Sequence, residues 1–566
     1  MKTKIFGLML LLSIIGFSCS DEFTTIAPVG ALSDESLQNE TGVNLLLTGA
    51  YSSLNAVRAN SFGNEWGRAA DNWTLDVLSD DAHKGSTDDD QADLKEIELM
   101  NWATGNGYWY AKWGVIFAGI NRANAVISLI KGIEGGETEF AGQMAEARFL
   151  RGHWNFELQK MWGNVPYISD ENYTNTEFNQ PNPGPIWDKV EEDFSFAMAN
   201  LPATQAERGR PTSTTAKAFL GKTYLYQSKW GDALRELNEV IASGNYSLLP
   251  DFVDNFRVAG ESGPESVFAI QFTTDGGQSF NANVVGALNF PNPGPFGSCC
   301  GFYQPTQDLL NAYQTDADGL PLLDTYNQQD VNSDFAIPSA DDFTMFDGSL
   351  DPRSDYTVGR RGIDYNGYGM HVGADWIRAT SSDISGPYLP KKNVYWSGEE
   401  GTNQATGPWG QQLSGVNYYI MRYADVLLMA AEAAVETGDN ATALDYVNQV
   451  RNRAKDSNYM QAMDGSGDAA NYVVEPYASF DSQDMARKAV RFERRLELGM
   501  EGHRLFDLRR WGNAEQVMND YFANESRTIS NIADKVSPYT SKHDLLPIPV
   551  TAIDLSGNIL TQNPGY

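Results

Sequence analysis

Cysteine occurs three times in 566 residues and histidine five times, which leaves little material for thiol or metal chemistry. Cys299 and Cys300 are adjacent. Neighbouring Cα atoms lie ~3.8 Å apart, below the usual disulfide range, so this pair makes at best a strained vicinal bridge. Two thiols cannot cage a metal alone, and no cysteine or histidine stands at ligand spacing beside them. They read as a loop feature without chemistry. No His-Glu-x-x-His pair and no Gly-x-Ser-x-Gly occurs, and Gly221-Lys222-Thr223 has Ala216 where a phosphate loop needs its upstream glycine. Basic residues are also scarce: 41 Lys and Arg against 74 Asp and Glu give a net charge of −33, which disfavours nucleic acid and polyanions as partners. The apolar run 5–17 falls short of the ~18–20 residues that a spanning helix needs.

That short run, preceded by Lys2 and Lys4, has the form of an export signal over residues 1–18. It ends at Gly16-Phe17-Ser18-Cys19, which resembles a lipoprotein processing site in which Cys19 becomes the acylated first residue. Ser20-Asp21-Glu22 looks like the acidic surface-export signal of such lipoproteins, and residues 19–32 then form a tether.

The chain is longer than the ~250–300 residues at which a single core stops growing. Leu220, Gly221, Tyr224, Ala233, Leu237 and Val240 fall at the offsets of a tetratricopeptide helix pair, with the turn at 228–231. Ala430, Ala431, Ala434, Ala443, Val447 and Val450 repeat those offsets around a turn at Gly438-Asp439-Asn440. Helical periodicity also marks 43–54, 113–130, 142–162 and 187–201, the last stopped by Pro202. The fold class predicted is therefore mostly α: a tetratricopeptide-like scaffold of about eight helices in four pairs, since one pair cannot bury its apolar face alone. Residues 33–243 hold the first three pairs and an early loop region. Residues 244–416 form a loop-rich insertion between the third and fourth pairs, with Pro and Gly clustered at 291–295 and a strand-like piece at 266–272. Residues 417–566 resume the helical pattern with the fourth pair, followed by one long helix at 484–511, started by the capping-type Asp484, and a Pro-punctuated tail.

Arg494-Arg495-Leu496-Glu497-Leu498, Glu501-Gly502-His503-Arg504 and Phe506-Asp507-Leu508-Arg509-Arg510-Trp511-Gly512 together resemble the SusD/RagB family. So do Gly119-Ile120-Asn121-Arg122-Ala123-Asn124, Asp351-Pro352-Arg353, Pro390-Lys391-Lys392-Asn393, Arg422-Tyr423-Ala424-Asp425 and the ending Gln562-Asn563-Pro564-Gly565-Tyr566. The resemblance runs from Cys19 to the last residue. It implies a surface-exposed outer-membrane lipoprotein without catalytic activity, which binds a nutrient oligomer and caps a TonB-dependent transporter barrel (SusC-like). Glycan-binding members stack exposed aromatics on sugar rings, and other members bind peptides.

Sugar rings present apolar C–H faces and a rim of hydroxyls, so a platform needs exposed rings beside short polar groups. With 13 Trp and 26 Tyr most rings must be core, and the candidates are those in Gly- and Asp-rich loops. Trp66 and Trp73 flank one such loop, with Asp81 and Lys84 after it, and the resemblance places an early loop on the ligand face. Phe290 and Tyr303 bracket the Pro-rich run, while Tyr365, Tyr368 and Trp376 lie together at 364–377. Glu497, Glu501 and His503 invite a catalytic reading, but three-residue spacing lets Arg494 meet Glu497 in a plain helix pair. No cofactor is expected. Asp316-x-Asp318-Gly319 begins like a calcium loop yet fails at Leu320 and Asn327, and Asp88-Asp89-Asp90 reads as solvated charge. The expected function is capture of an oligosaccharide, a neutral one such as a β-glucan given the acidic balance. A peptide-binding member of the family and a tethered glycoside hydrolase are the alternatives.

Overall fold

The structure, a computed structural model, describes residues 34–56, 66, 73–174, 178–274, 281–297, 299–379, 384–392, 394–407, 410–529 and 532–566. The export signal, the tether and Cys19 lie outside the described residues.

Eight helices among the described residues form the scaffold: α1 Glu40–Tyr51, α2 Gly107–Gly132, α3 Ala141–Trp162, α4 Trp187–Asn200, α5 Ser213–Tyr226, α6 Trp230–Ala242, α7 Tyr423–Glu436 and α8 Asn440–Asp456. Each packs on the next in chain order, so α6 meets α7 across the whole insertion. Glycine sets the spacing at two crossings. A Cβ on Gly221 would stand 2.8 Å from Leu237 Cγ, and one on Gly119 would stand 2.2 Å from Trp154 Nε1. Starts are set by side-chain caps: Thr212 and Thr215 close a capping box on α5, Asn106 accepts from Tyr108 N on α2, and Asp439 accepts from Thr442 N on α8.

Four short strands matter to the site: β1 Ala82–Gly85, β2 Ser266–Ile270, β3 Phe302–Pro305 and β4 Tyr418–Arg422. Three local expectations are corrected. Residues 418–422 are the strand β4, and the helix begins only at Tyr423. Tyr418-Tyr419-Ile420-Met421 is rich in aromatic and β-branched residues, and it pairs antiparallel with β2. The insertion thus leaves and re-enters the scaffold through one two-stranded neck. Second, the long helix at 484–511 is two helices, α9 Gln483–Leu498 and α10 Arg504–Arg510, and Ser482, not Asp484, caps the first. The break falls where Met500 and Gly502 take φ of 64° and 77°, which turns Glu501 inward to Arg422 and Lys392. Third, Arg494 does not meet Glu497. It reaches Asp425 at 2.8 Å and Asp507 at 3.1 Å, while Glu497 turns to the opposite side.

On that side a buried ionic cluster fastens the insertion to the scaffold. Arg353, Arg422, Arg451, Arg453 and Lys392 interleave with Asp351, Glu265, Glu493, Glu497 and Glu501. Each sign appears five times, so the cluster is neutral as a whole. Glu497 accepts from Arg353, Arg422 and Arg453 together. Those guanidiniums hold its carboxyl far below the usual range, against the burial that works to raise it.

Two further joints complete the frame. In one, β1 pairs with β3, tying the early loop to the insertion. In the other, the tail latches onto the end of α3: Trp162 Nε1 donates to Pro547 O at 2.9 Å, and Asn563 Nδ2 donates to Trp162 O and Leu546 O, both at 2.8 Å. Trp102 Nε1 donates to the Tyr566 hydroxyl at 2.8 Å.

Candidate functional site

Most aromatic rings enter one continuous core, but Phe290, Tyr365, Ile377, Leu389, Val394 and Tyr395 form a separate cluster within the insertion. Over it lie the half-buried rings of Phe296, Tyr368 and Trp376. Phe296 crosses Tyr368 edge-on at 4.6 Å between centroids and Phe290 at 5.0 Å. Trp376 stands over Tyr365 at 6.1 Å and beside His371 at 5.3 Å. Met370 and Val372 on the same loop are 50% and 38% exposed, so apolar side chains continue from the rings into solvent.

The loop that carries these rings is held from within. The Asp364 carboxylate accepts from Gly367 N at 2.7 Å and Gly369 N at 3.2 Å, closing a hairpin that its sequence of small residues permits. Beneath it Asn366 Nδ2 donates to Lys391 O and Val394 O, and Tyr365 Oη donates to Pro390 O. Lys391 Nζ donates to Asp355 O at 2.6 Å and Asp364 O at 2.8 Å. Burial brings that ammonium down to about 8. Lys392, one residue on, runs into the ionic cluster, so the platform and the scaffold share one rigid connection.

Polar groups rim the rings. Tyr368 Oη donates to Glu400 Oε1 at 2.5 Å, and Asp375 is exposed with its N–H on Ser339 Oγ. Burial first, then Glu400, keeps the Tyr368 phenol protonated. His371 Nδ1 accepts from Gly373 N, so the remaining proton sits on Nε2. Burial takes its pKa down to about 3, and the ring is neutral. Apolar faces edged by hydroxyl, carboxylate and carbonyl groups suit an uncharged, hydroxyl-rich ligand.

Of the nine ligand residues expected from sequence, Phe290, Tyr365, Tyr368 and Trp376 come together here. Phe290 and Tyr365 are fully buried and back the platform without facing solvent. Four others are corrected by burial. Trp66 and Tyr303 lie in the main core. Asp81 is enclosed with Asp80 and Asp308 around Arg495, whose Nε donates to it at 3.0 Å. Lys84 donates to Gly85 O and Thr87 O from above the Phe302 ring, and burial brings it down to about 8. Short polar residues after a tryptophan signal a loop, but at 79–85 they are the joint between β1 and the insertion. Trp73 opens a short helix, and its side chain lies outside the described residues. Phe296 is absent from the sequence expectations, although it directly follows the Pro-rich run that Phe290 precedes. Cys299 and Cys300 form a vicinal bridge. The adjoining Cys300 carbonyl accepts from Arg378 at 3.1 Å. Glu497 and Glu501 pair with the cations of the ionic cluster, and His503 is half-buried near Asp425 and Lys222, with desolvation bringing its pKa to about 4.

A family model described as the SusD family matches residues 264–566, and one described as starch-binding, associating with outer membrane, matches residues 32–225. The chain belongs to the SusD family. Along its full length it is 26% identical to SusD-like protein P2 of Formosa agariphila, covering 100% of both chains. Its fold matches a laminarin binding SusD-like protein with TM-score 0.64, 22% identity and coverage of 93% of this chain and 100% of that one. It likewise matches surface glycan-binding protein A from Bacteroides thetaiotaomicron in complex with laminarihexaose, with TM-score 0.64, 20% identity and coverage of 93% and 99%. SusD-like structures have this tetratricopeptide-like helical fold. The SusD motifs Asp351-Pro352-Arg353, Pro390-Lys391-Lys392, Arg422 and Glu497-to-Glu501 supply members of the ionic cluster, which accounts physically for their occurring together.

Proposed function

We propose that this SusD-family chain is a non-catalytic, lipid-anchored glycan-binding protein of the cell exterior. It captures neutral β-glucan oligosaccharides and hands them to a partner TonB-dependent transporter barrel. The observation that carries this reading is the half-buried triad Phe296, Tyr368 and Trp376, set on a rigid underlay and displayed from the insertion. Two proteins of the same fold are named for laminarin or laminarihexaose, which supports a ligand of that class. Binding is of micromolar to millimolar strength per site, because hydroxyl-rich ligands exchange water contacts for protein contacts at little net gain, and repeated sites along a polymer compensate.

Titration of the purified chain against laminarihexaose, maltohexaose and mixed peptides tests it. Laminarihexaose is expected to bind and to yield no new reducing ends on prolonged incubation. Peptide binding with glycan silence supports the peptide-capturing alternative, and released reducing ends support a hydrolase.

A further inference from the structure

A second concave surface lies far in sequence from the platform and shares no residue with it. This groove has a volume of about 420 Å³, within the range of small-molecule sites. Its floor is the first half of α2, one wall is formed by residues 166–173 and 178–180, and the other is α11, Val550–Leu555, with the residues after it. The walls are pinned to each other: Asn182 Nδ2 donates to Thr561 O at 2.9 Å, and Thr561 N donates back to Asn182 Oδ1 at 2.8 Å. The floor is set by Trp113, packed on Phe117 at 4.9 Å and edge-on to Trp162 at 5.2 Å. The groove is thus preformed.

Its chemistry resembles that of the platform. Tyr110, Phe117 and Tyr173 are half-buried along it, and Phe178 stands 50% exposed at its lip. Carboxamides from Asn121 and Asn179 accompany the rings. In a chain of net charge −33 the lining, among the described residues, contains no acidic or basic side chain. An apolar helix from a protein partner would cover those amides without offering them hydrogen bonds, at a cost of about 1–3 kcal/mol for each one left unsatisfied. Sugar hydroxyls satisfy amides, and sugar C–H faces cover rings. We infer that this groove is a second site for a short, uncharged oligosaccharide, on the helical scaffold rather than on the insertion. The inference rests on the reading of the chain as a neutral-glycan binder.

Calorimetric titration with laminarihexaose, of the native chain and of Phe178→Ala and Trp376→Ala, tests it. Phe178 is 50% exposed while Trp376 is half-buried on the insertion cluster, so a circular dichroism spectrum of each variant checks that it keeps the native fold. The native chain is expected to bind two hexasaccharides. Phe178→Ala should weaken one of them roughly tenfold and leave the other unchanged, while Trp376→Ala does the reverse. A single site, abolished by Trp376→Ala and untouched by Phe178→Ala, overturns the second site and leaves the platform standing. Retention of two unchanged sites in Phe178→Ala also overturns it. Glycan silence of the native chain contradicts the reading of the platform itself, and the second site falls with it. Displacement of groove binding by an apolar helical peptide, with no hexasaccharide bound there, assigns the groove to a protein partner and overturns the inference.

Discussion

Removing the Glu497 carboxylate is the most revealing perturbation of the frame. It is fully buried and accepts from three guanidiniums at once, Arg353 among them at 2.8 Å. Glu497→Ala leaves five cations facing four anions in a closed space, and Arg453 keeps Glu265, at 3.2 Å, as its remaining acidic partner among the described residues. Breaking a buried pair by deleting one partner costs about 3–5 kcal/mol, because the surviving charge stays desolvated. Arg353 and Arg422 keep other carboxylates, Asp351 at 2.7 Å and Glu501 at 2.9 Å, which holds the expected loss within that range rather than at a multiple of it. Urea unfolding followed by tryptophan fluorescence should therefore show Glu497→Ala destabilised by about 3–5 kcal/mol. Glu497→Gln, which keeps shape and one acceptor, should lose less. Surface pairs such as Lys488 with Asp324 are no guide here, since exposed pairs contribute only about 0–1 kcal/mol. A Glu497→Ala protein within about 1 kcal/mol of native would refute the claim that this cluster fastens the insertion to the scaffold.

Other outcomes follow from the same packing. Gly119→Ala places a methyl 2.2 Å from Trp154 Nε1, and should destabilise by about 1–3 kcal/mol or more in the same unfolding assay. His83 donates to Glu98 and Glu525, each at 2.8 Å, and those bonds outweigh burial to lift its pKa to about 10. Its contribution is full below the unfolded value near 6.5 and is lost as pH rises through 10, so His83→Ala should flatten the alkaline end of a stability-against-pH curve. At the acid end, Asp507 and Glu157 are buried, yet Arg494 and Arg510 for the first and Lys160 for the second hold them at about 2. These depressed values give stability that is present above about pH 4 and lost as pH falls through 2, roughly 2–3 kcal/mol for each group. Asp334, raised by burial to about 6, acts with the opposite sign, losing its contribution as pH rises through 6. His371 and His503, held neutral in the fold at about 3 and 4, outweigh it with stability that is lost as pH falls below the free value of 6.5, so thermal unfolding across pH should show the melting temperature falling steadily below about pH 6.

The helical frame was legible because its signals are local. Gly221, Leu237 and Val240 mark a close helix crossing by spacing alone, and caps such as Asp439 sit next to the helices they start. The break at 499–502 was not, because Glu501 turns inward for partners at Lys392 and Arg422, far away in sequence. Asp81 and Lys84 misled for the same reason. A polar loop motif looks the same whether it faces solvent or, as here, Arg495 and the carbonyls beside Phe302. In the candidate site the loop at 364–377 announced itself through alternating Gly and Tyr, but which rings stay open depends on Phe296 arriving from 290–297, a juxtaposition that no local pattern encodes.

Glycan capture on the triad is tested most directly by a crystal structure of the chain soaked with laminarihexaose. A glucose ring is expected against Trp376, with the chain of sugars continuing over Phe296 and Tyr368. A bound hexasaccharide confined to other surfaces, with those three rings bare, would contradict the account.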